Sequence, residues 1–346
     1  MGKNMVMFVP ANQEQASAAL RAAATLVDPP QPSQEESEGT TPNPISGMGQ
    51  TLLVAAGQLF FSPPIDVAEL DLTPISPQAL TAAIGPDPAL AQHVASLLAV
   101  ASLADGRFDE DRLRRVVEFA HHLGVHEGWV RDLLQIARGQ LAWTMADMTR
   151  RNAATFPGWA DPMDNAPVMQ PYEQQTDADK RLADRFLALQ ARDTNTFGRH
   201  FYDHFRGHNF GFPGELGAFN AGFAVPHDSL HVVSGYSTSL QGEILVSTFT
   251  GGMHREDNMR SHLLPVIIEW HVGNEVNGIG AHKDNLDPAK FLVAWRRGQH
   301  TSLDVLSPQW DFWAWADRDL DEVRDDMAVE ELSEEYAASG EEIVGR

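Results

Sequence analysis

Apolar residues recur at helical spacing through most of this sequence, and this pattern constrains the fold more than any other feature of the chain. They repeat three and four positions apart after Pro88, and again from Asp109 until Gly124, which is the spacing of one buried helix face. Strand patterns are scarce. The sequence therefore predicts an all-α protein. Further helices are predicted at residues 129–142, 177–190, 197–206, 226–233 and 239–249, and from residue 288 onward.

Two proline-rich segments interrupt the helical pattern. Residues 28–49 combine proline, serine, glycine and acidic residues, and residues 156–172 contain four prolines. Neither segment can bury enough apolar surface to offset the entropy of ordering it. We therefore predict two helical domains joined by a proline-rich linker. The predicted parts are a disordered arm and linker at 1–49, a helical domain at 50–155, a second helical domain at 172–328 and an acidic tail at 329–346 whose last part is solvated or disordered.

Charge and cysteine content exclude several classes of function. With 25 Lys and Arg against 48 Asp and Glu, the formal net charge is −23, which repels nucleic acid and allows at most peripheral contact with a membrane surface. The chain has no cysteine, so thiolate metal sites and cysteine nucleophiles are excluded. The longest apolar stretch, residues 52–61, is about half of a membrane span. We expect a cytoplasmic protein. The sequence contains no glycine-rich phosphate loop, so it does not predict a nucleotide cofactor.

The residues best suited to chemistry lie in the segment Pro226-His227-Asp228-Ser229-Leu230-His231. Histidines four residues apart project from one helix face, with Asp228 about 100° round the helix. Residues 234–239 suit a turn, and an antiparallel helix after that turn places Glu243 opposite His231. Two imidazoles and two carboxylates suit zinc, ferrous iron or manganese; we expect zinc, with iron or manganese as alternatives.

The same four residues also allow a purely structural interpretation. His227 and His231 would lie at the edge of a core, Asp228 would be a first-turn charge, and Glu243 would favour the start of the second helix.

An acidic turn in the N-terminal half resembles a known domain. The turn is Ala104-Asp105-Gly106-Arg107-Phe108-Asp109-Glu110, and it resembles the small helical domain of tellurite-resistance protein B-like proteins over about residues 86–150. We interpret its carboxylates as a capped helix start, because a calcium loop needs more oxygen ligands.

The segment HDSLHVVSGYSTSLQGE resembles the signature of the coenzyme Q biosynthesis protein 4 family. Segments 195–205 and 294–324 agree with that family, so the resemblance covers about residues 180–328. It implies an all-helical domain whose metal ligands are His227, Asp228, His231 and Glu243. It also implies an apolar channel for a prenylated lipid beside the metal, and removal of the ring carboxylate of a polyprenyl hydroxybenzoate with oxygen replacing it.

The resemblance leads to two hypotheses for function. The first is a metal-dependent oxidative decarboxylase, or related lyase, acting on a hydrophobic, prenylated hydroxybenzoate; no general base is identified. The second is a non-catalytic, metal-stabilised lipid-binding or scaffold protein that organises partner enzymes or pairs with its own copies. Phe197, Phe201 and Phe205 repeat every four residues and are interpreted as core or as the wall of the lipid channel.

Seven further histidines are not interpreted as metal ligands in the first instance. His200, His204 and His208 follow one helix face and are interpreted as solvated or hydrogen-bonded, with a second metal as the alternative. Four others have no ligand spacing: His254, His262, His271 and His282.

Overall fold

The computed structural model describes residues 9–27, 47–156, 171–274 and 281–346. It is 61% helical, and its strands are two parallel pieces of two residues each, β1 (Val9–Pro10) and β2 (Phe61–Ser62). The prediction of an all-α fold is confirmed. None of the helices in these ranges is both long and apolar enough to cross a membrane.

The described residues form the following helices: α1 (Gln13–Ala24), α2 (Met48–Ala55), α3 (Pro77–Ile84), α4 (Pro88–Ala101), α5 (Glu110–His122), α6 (Gly128–Ala137), α7 (Leu141–Ala154), α8 (Asp177–Leu187), α9 (Phe197–Gly207), α10 (Ala221–Ser234), α11 (Leu240–Met253), α12 (Leu264–Ile267), α13 (Pro288–His300), α14 (Phe312–Trp315) and α15 (Leu320–Asp326). Short π-helical turns lie at Ala56–Phe60, Met259–Leu263 and Ile268–Val272, and short 3₁₀ turns at Val67–Glu69, Ala188–Ala191 and Glu334–Tyr336.

The chain divides into two compact units whose segments alternate along the sequence. The first unit is Met1–Ala146 with Leu264–Val293, and the second is Asp147–Leu263 with Ala294–Arg346. The predicted domains differ from this division mainly at residues 264–293, which were predicted to belong to the second domain. Most of the predicted linkers, at residues 28–46 and 157–170, lies outside the described residues.

In the first unit, helix α1 corrects the predicted disordered arm. Asn12 accepts a hydrogen bond from the backbone of Gln15, and the Gln15 side chain accepts one from the backbone of Asn12, so the two form a capping box. Ala16, Ala19 and Leu20 are fully buried. The alanine-rich face of α1 does not stand out in the sequence, because alanine is a weak signal of burial although it is the best helix former.

The acidic turn of the first unit is a capped helix start, as predicted. The Asp109 carboxylate accepts from the backbone N–H of Arg112 at 2.8 Å, and Asp105 pairs with the Arg112 guanidinium at 2.7 Å. The helix predicted at residues 129–142 is instead two helices, α6 and α7. Gly139 divides them because its φ of +78° is a conformation that glycine adopts readily and that ends a helix.

In the second unit, α10 and α11 form the predicted helical hairpin. Helix α10 begins at Ala221 rather than at residue 226, because the Asn220 side chain caps it by accepting from the N–H of Gly222 at 2.9 Å. Pro226 therefore lies inside the helix, where it removes one backbone hydrogen bond. Gly235 ends α10 in a left-handed conformation with φ of +85°, and Ser239 caps α11.

The acidic tail is also corrected. Leu332, Ala337 and Ala338 are buried, and the backbone N–H of Val344 donates to the carbonyl of Gly235 at 3.0 Å. The tail thus packs on the rest of the second unit through its apolar residues, whereas the acidic side chains of Glu331, Glu334, Glu335, Glu341 and Glu342 are exposed.

Candidate metal centre

Helix α10 places His227 and His231 on one face, as their spacing predicts. Their rings lie 4.9 Å apart, nearly perpendicular to each other, and their Nε2 atoms are 3.3 Å apart. The His231 side chain is completely buried, and that of His227 is 23% exposed. Both nitrogens therefore point to one place at the edge of the core.

Helix α11 brings Glu243 to the same place. One carboxylate oxygen lies 3.5 Å from Nε2 of His227, and the other lies 3.4 Å from Nε2 of His231. Gly242 allows this approach, since a Cβ there would lie 2.0 Å from the carbonyl oxygen of Ser237. The turn between the two helices can therefore be tight enough for Glu243 to face both imidazoles.

The separations between these ligand atoms fit a metal ion. A tetrahedral site with bonds of about 2.1 Å has edges of about 3.4 Å. The two nitrogens are 3.3 Å apart, close to such an edge, and each lies 3.4–3.5 Å from a different oxygen of the Glu243 carboxylate, so the carboxylate faces both imidazoles and could bind the same ion. The donor set, two imidazoles and one carboxylate, is that of catalytic zinc sites and suits iron or manganese as well.

The surroundings of His231 favour metal binding. Its Nδ1 donates a hydrogen bond to the carbonyl of Tyr236 at 2.8 Å, which leaves the lone pair of Nε2 facing the other ligands. On the other side of the site, the His227 ring stacks on Phe223 at 4.9 Å. Both rings are thus held in the orientation that their ligand atoms require.

Electrostatics tie the three side chains together. Burial lowers the pKa of His231, but the carboxylate of Glu243 outweighs it and raises that pKa to about 9. Burial acts to raise the pKa of Glu243, but the charges and hydrogen bonds of the two imidazoles hold it far below its usual range. A divalent cation would replace the proton of this cluster, so its binding would be coupled to proton release.

The fourth predicted ligand, Asp228, lies outside this group. Its carboxylate accepts a hydrogen bond from Nε2 of His204 on α9 at 3.0 Å, and both side chains are buried. The physical reason is its position on the helix, because consecutive residues of a helix project about 100° apart. The side chain of Asp228 therefore faces His204 of α9 and not the group that includes Glu243 of α11.

His204, interpreted from the sequence as solvated or hydrogen-bonded, is hydrogen-bonded to Asp228 and lies next to the metal ligands. Its buried ring stacks 5.4 Å from the ring of His231, and burial lowers its pKa in spite of Asp228. The sequence indicates the burial of His204, because position 204 is seven residues after Phe197 and three after Phe201. That spacing puts it on the buried face of α9.

The aromatic stripe of α9 lies in the core of the second unit. Phe197 and Phe201 are completely buried and Phe205 nearly so. Phe201 packs on Phe312 with centroids 4.7 Å apart, and Phe205 stacks on Phe212 at 5.0 Å. These rings contact other protein rings, and their role in a lipid channel stays a prediction.

A second, partly buried polar cluster involves histidines for which no metal is predicted. Nδ1 of His254 donates to Asp304 at 2.8 Å, and the ring of His262 lies 5.7 Å from that of His254. Burial, and then the neighbouring His254, lowers the pKa of His262 to about 3. His262 is therefore a neutral imidazole at physiological pH.

Comparison with models of protein families, with curated proteins and with solved structures finds no match to this chain.

Proposed function

We propose that this protein is a metal-dependent carbon–carbon lyase that removes the ring carboxylate of a hydrophobic, prenylated hydroxybenzoate in an oxidative reaction. The observation that carries the proposal is the convergence of His227, His231 and Glu243, whose nitrogens lie 3.3 Å apart and each 3.4–3.5 Å from an oxygen of the carboxylate. The substrate class is inferred from the resemblance of residues 227–243 to the coenzyme Q biosynthesis protein 4 family.

The number of ligands supports an enzyme. Three protein ligands leave a coordination position for substrate, as in catalytic sites, whereas structural zinc sites are closed by four. With Asp228 engaged by His204, the group of three has such a position.

Oxidative decarboxylation would break the bond between ring carbon and carboxylate carbon, release carbon dioxide and join an oxygen atom to the ring carbon. With dioxygen as the oxidant, the acid, dioxygen and water would give the phenol, carbon dioxide and hydrogen peroxide. A divalent cation, if held by His227, His231 and Glu243, would supply positive charge that stabilises the negative charge left on the ring as the carboxylate departs, most strongly where water is excluded. Phe223 covers one face of the His227 ring. The buried His204–Asp228 pair, whose imidazole lies 5.4 Å from the His231 ring, could hold a proton next to the metal ligands.

The experiment combines metal analysis with a label. Purified protein is loaded with zinc, iron or manganese and incubated with prenylated hydroxybenzoate labelled at the carboxylate, with and without oxygen. We expect a stoichiometric metal and release of labelled carbon dioxide in the presence of oxygen. Glu243→Gln should abolish the release, whereas Glu173→Gln, which changes an exposed carboxylate of the same unit, should leave it unchanged.

The alternative is a non-catalytic lipid-binding or scaffold protein whose metal joins α10 to α11. It is favoured by the position of the ligands on both arms of one hairpin, since a metal there stabilises the fold by linkage. Tight binding of the lipid without release of labelled carbon dioxide for any of the three metals would contradict the lyase and support the scaffold.

A further inference from the structure

Residues 330–346, here called the strap, lie against the turn that joins the two metal-binding helices. We infer that the strap, acting through Arg297 and Arg324, positions the metal centre and sets its affinity. This inference rests on the proposed metal site and adds to it the residues that hold α10 and its turn in place.

The two arginines bind the free carbonyl groups at the C-terminus of α10. Arg324 donates from Nη2 to the carbonyl of Val232 at 2.9 Å and from Nε to that of Val233 at 3.1 Å. Arg297 donates from Nη2 to the carbonyl of Ser234 at 2.9 Å. The last carbonyls of a helix have no partner within the helix, and positive charge there is stabilising. Both guanidinium groups therefore fix the last turn of α10.

The strap holds both guanidinium groups from the other side. The carbonyl of Glu330 accepts from Nε of Arg297 at 3.0 Å and from its Nη2 at 2.7 Å. The carbonyls of Val344 and Gly345 accept from Arg324, each at 3.0 Å. Each arginine thus bridges the strap to the end of α10.

The strap also contacts the turn and α11 directly. The N–H of Val344 donates to the carbonyl of Gly235 at 3.0 Å, and the N–H of Ser339 donates to the side chain of Gln241 at 2.7 Å. A Cβ at Gly235 would lie 2.9 Å from Ile343, so the strap packs on the glycine itself.

These contacts reach a metal ligand through one residue. Tyr236 follows Gly235 in the turn, is completely buried, and accepts at its carbonyl the hydrogen bond that orients His231. The Arg297 guanidinium lies 5.2 Å from the Tyr236 ring. Loss of the strap contacts would therefore free the carbonyl that fixes the His231 ring, and groups that orient a ligand typically change metal affinity about 10–100-fold.

The test measures metal affinity and geometry in the full chain. Cobalt(II) is titrated into the metal-free protein and followed by its visible absorption, which reports coordination geometry, and zinc affinity is measured by competition with a chelator. We expect Arg324→Gln to weaken both metals by about 10–100-fold and to change the cobalt spectrum. Arg324→Lys keeps the charge without the planar fork of donors and should restore part of the affinity.

Two further variants distinguish an effect of the strap on metal binding from a general loss of stability. Val344→Pro removes the N–H that binds Gly235 and should weaken the metal while Arg324 is intact. Arg318→Gln, whose partner is the exposed Asp326, is the matched control and should bind metal like the wild type. A simple loss of stability would lower the unfolding midpoint without changing the spectrum of the bound cobalt.

The outcomes are distinct. Wild-type affinity and spectrum in both Arg324→Gln and Val344→Pro would overturn the role of the strap and leave the metal centre in place. If Arg324→Gln does not fold, Val344→Pro decides alone. A wild-type protein that binds neither zinc nor cobalt would overturn the metal centre and the role of the strap together.

Discussion

At the scale of single residues, two carboxylates of α10 and α11 have different partners. Glu243 faces the imidazoles of His227 and His231, whereas Asp228 is engaged by the buried His204. Loss of the negative charge at Glu243 and at Asp228 is therefore expected to affect metal binding differently.

We predict that Glu243→Gln removes most of the bound metal and that Asp228→Asn keeps it. Glutamine has no negative charge to bind the cation, and two imidazoles alone form a weak site. Asparagine at 228 can still accept from His204. The measurement is metal content per chain by elemental analysis after dialysis against a weak chelator. Equal loss of metal in both variants would show that Asp228 is a ligand in the loaded protein.

The buried His262 predicts acid sensitivity of the metal-free protein. Burial, and then His254, lowers its folded-state pKa to about 3, whereas the unfolded value is about 6.5. Between these values the unfolded chain binds a proton that the folded chain does not, so stability falls as pH falls, by about 1.4 kcal/mol per pH unit.

We therefore expect the free energy of unfolding, measured in urea between pH 6 and pH 4, to fall less steeply in His262→Gln than in the wild type. The control is His126→Gln, at an exposed position, which should keep the wild-type slope. Identical slopes in all three proteins would mean that His262 takes up its proton in the folded state.

At the scale of elements, glycines set the distance between α11 and α13. A Cβ at Gly252 would lie 2.2 Å from the carbonyl oxygen of Trp295, and a Cβ at Gly298 would lie 2.0 Å from that of Phe249. The two helix backbones touch at these points, and any side chain would force them apart. Because α11 carries Glu243, this packing also fixes one arm of the hairpin.

We predict that Gly252→Ala lowers the free energy of unfolding by about 1–3 kcal/mol, the range for overpacking a core. Gly207→Ala in α9 is the matched control: beyond its own helix, a Cβ there would meet no atom within 4 Å, so alanine should be neutral or stabilising by up to about 1 kcal/mol. Urea unfolding of both variants is the measurement. A Gly252→Ala protein as stable as the wild type would mean that α11 and α13 can separate without loss.

At the scale of the whole molecule, the second unit begins inside α7. Asn152 donates to the carbonyl of Ser261 at 2.8 Å, and Arg151 pairs with Asp257 at 3.2 Å. Residues 264–293 belong to the first unit, where Nε2 of His271 donates to the carbonyl of Ala104 at 2.9 Å. A domain boundary at residues 156–172 would therefore separate residues of the second unit that contact each other.

We expect a chain that begins at Tyr172 to melt below one that begins at Asp147. The shorter chain loses a hydrogen bond and ion pairs worth about 2 kcal/mol together, which corresponds to about 4–8 °C. Scanning calorimetry of the two chains is the measurement. Equal melting temperatures would support an independent domain that starts after the proline-rich segment.

Local patterns in the chain were enough to predict most of the helices and the shared face of His227 and His231. Periodicity and capping residues such as Asp109 and Ser239 act within a few positions of the chain, and residues four apart in a helix are neighbours whatever surrounds them. The position of Glu243 opposite His231 could be predicted because a short turn between two antiparallel helices leaves few possible pairings of facing residues.

The partner of Asp228, the burial of His262 and the packing of the strap could be known only from the folded chain. Each depends on which helix or segment packs against a given face, and that choice is made by contacts between residues far apart in the chain. The His204–Asp228 pair spans 24 positions and the Arg324 bond to Val232 spans 92. No local pattern carries such pairings, so the identity of the groups around the metal ligands is a property of the fold.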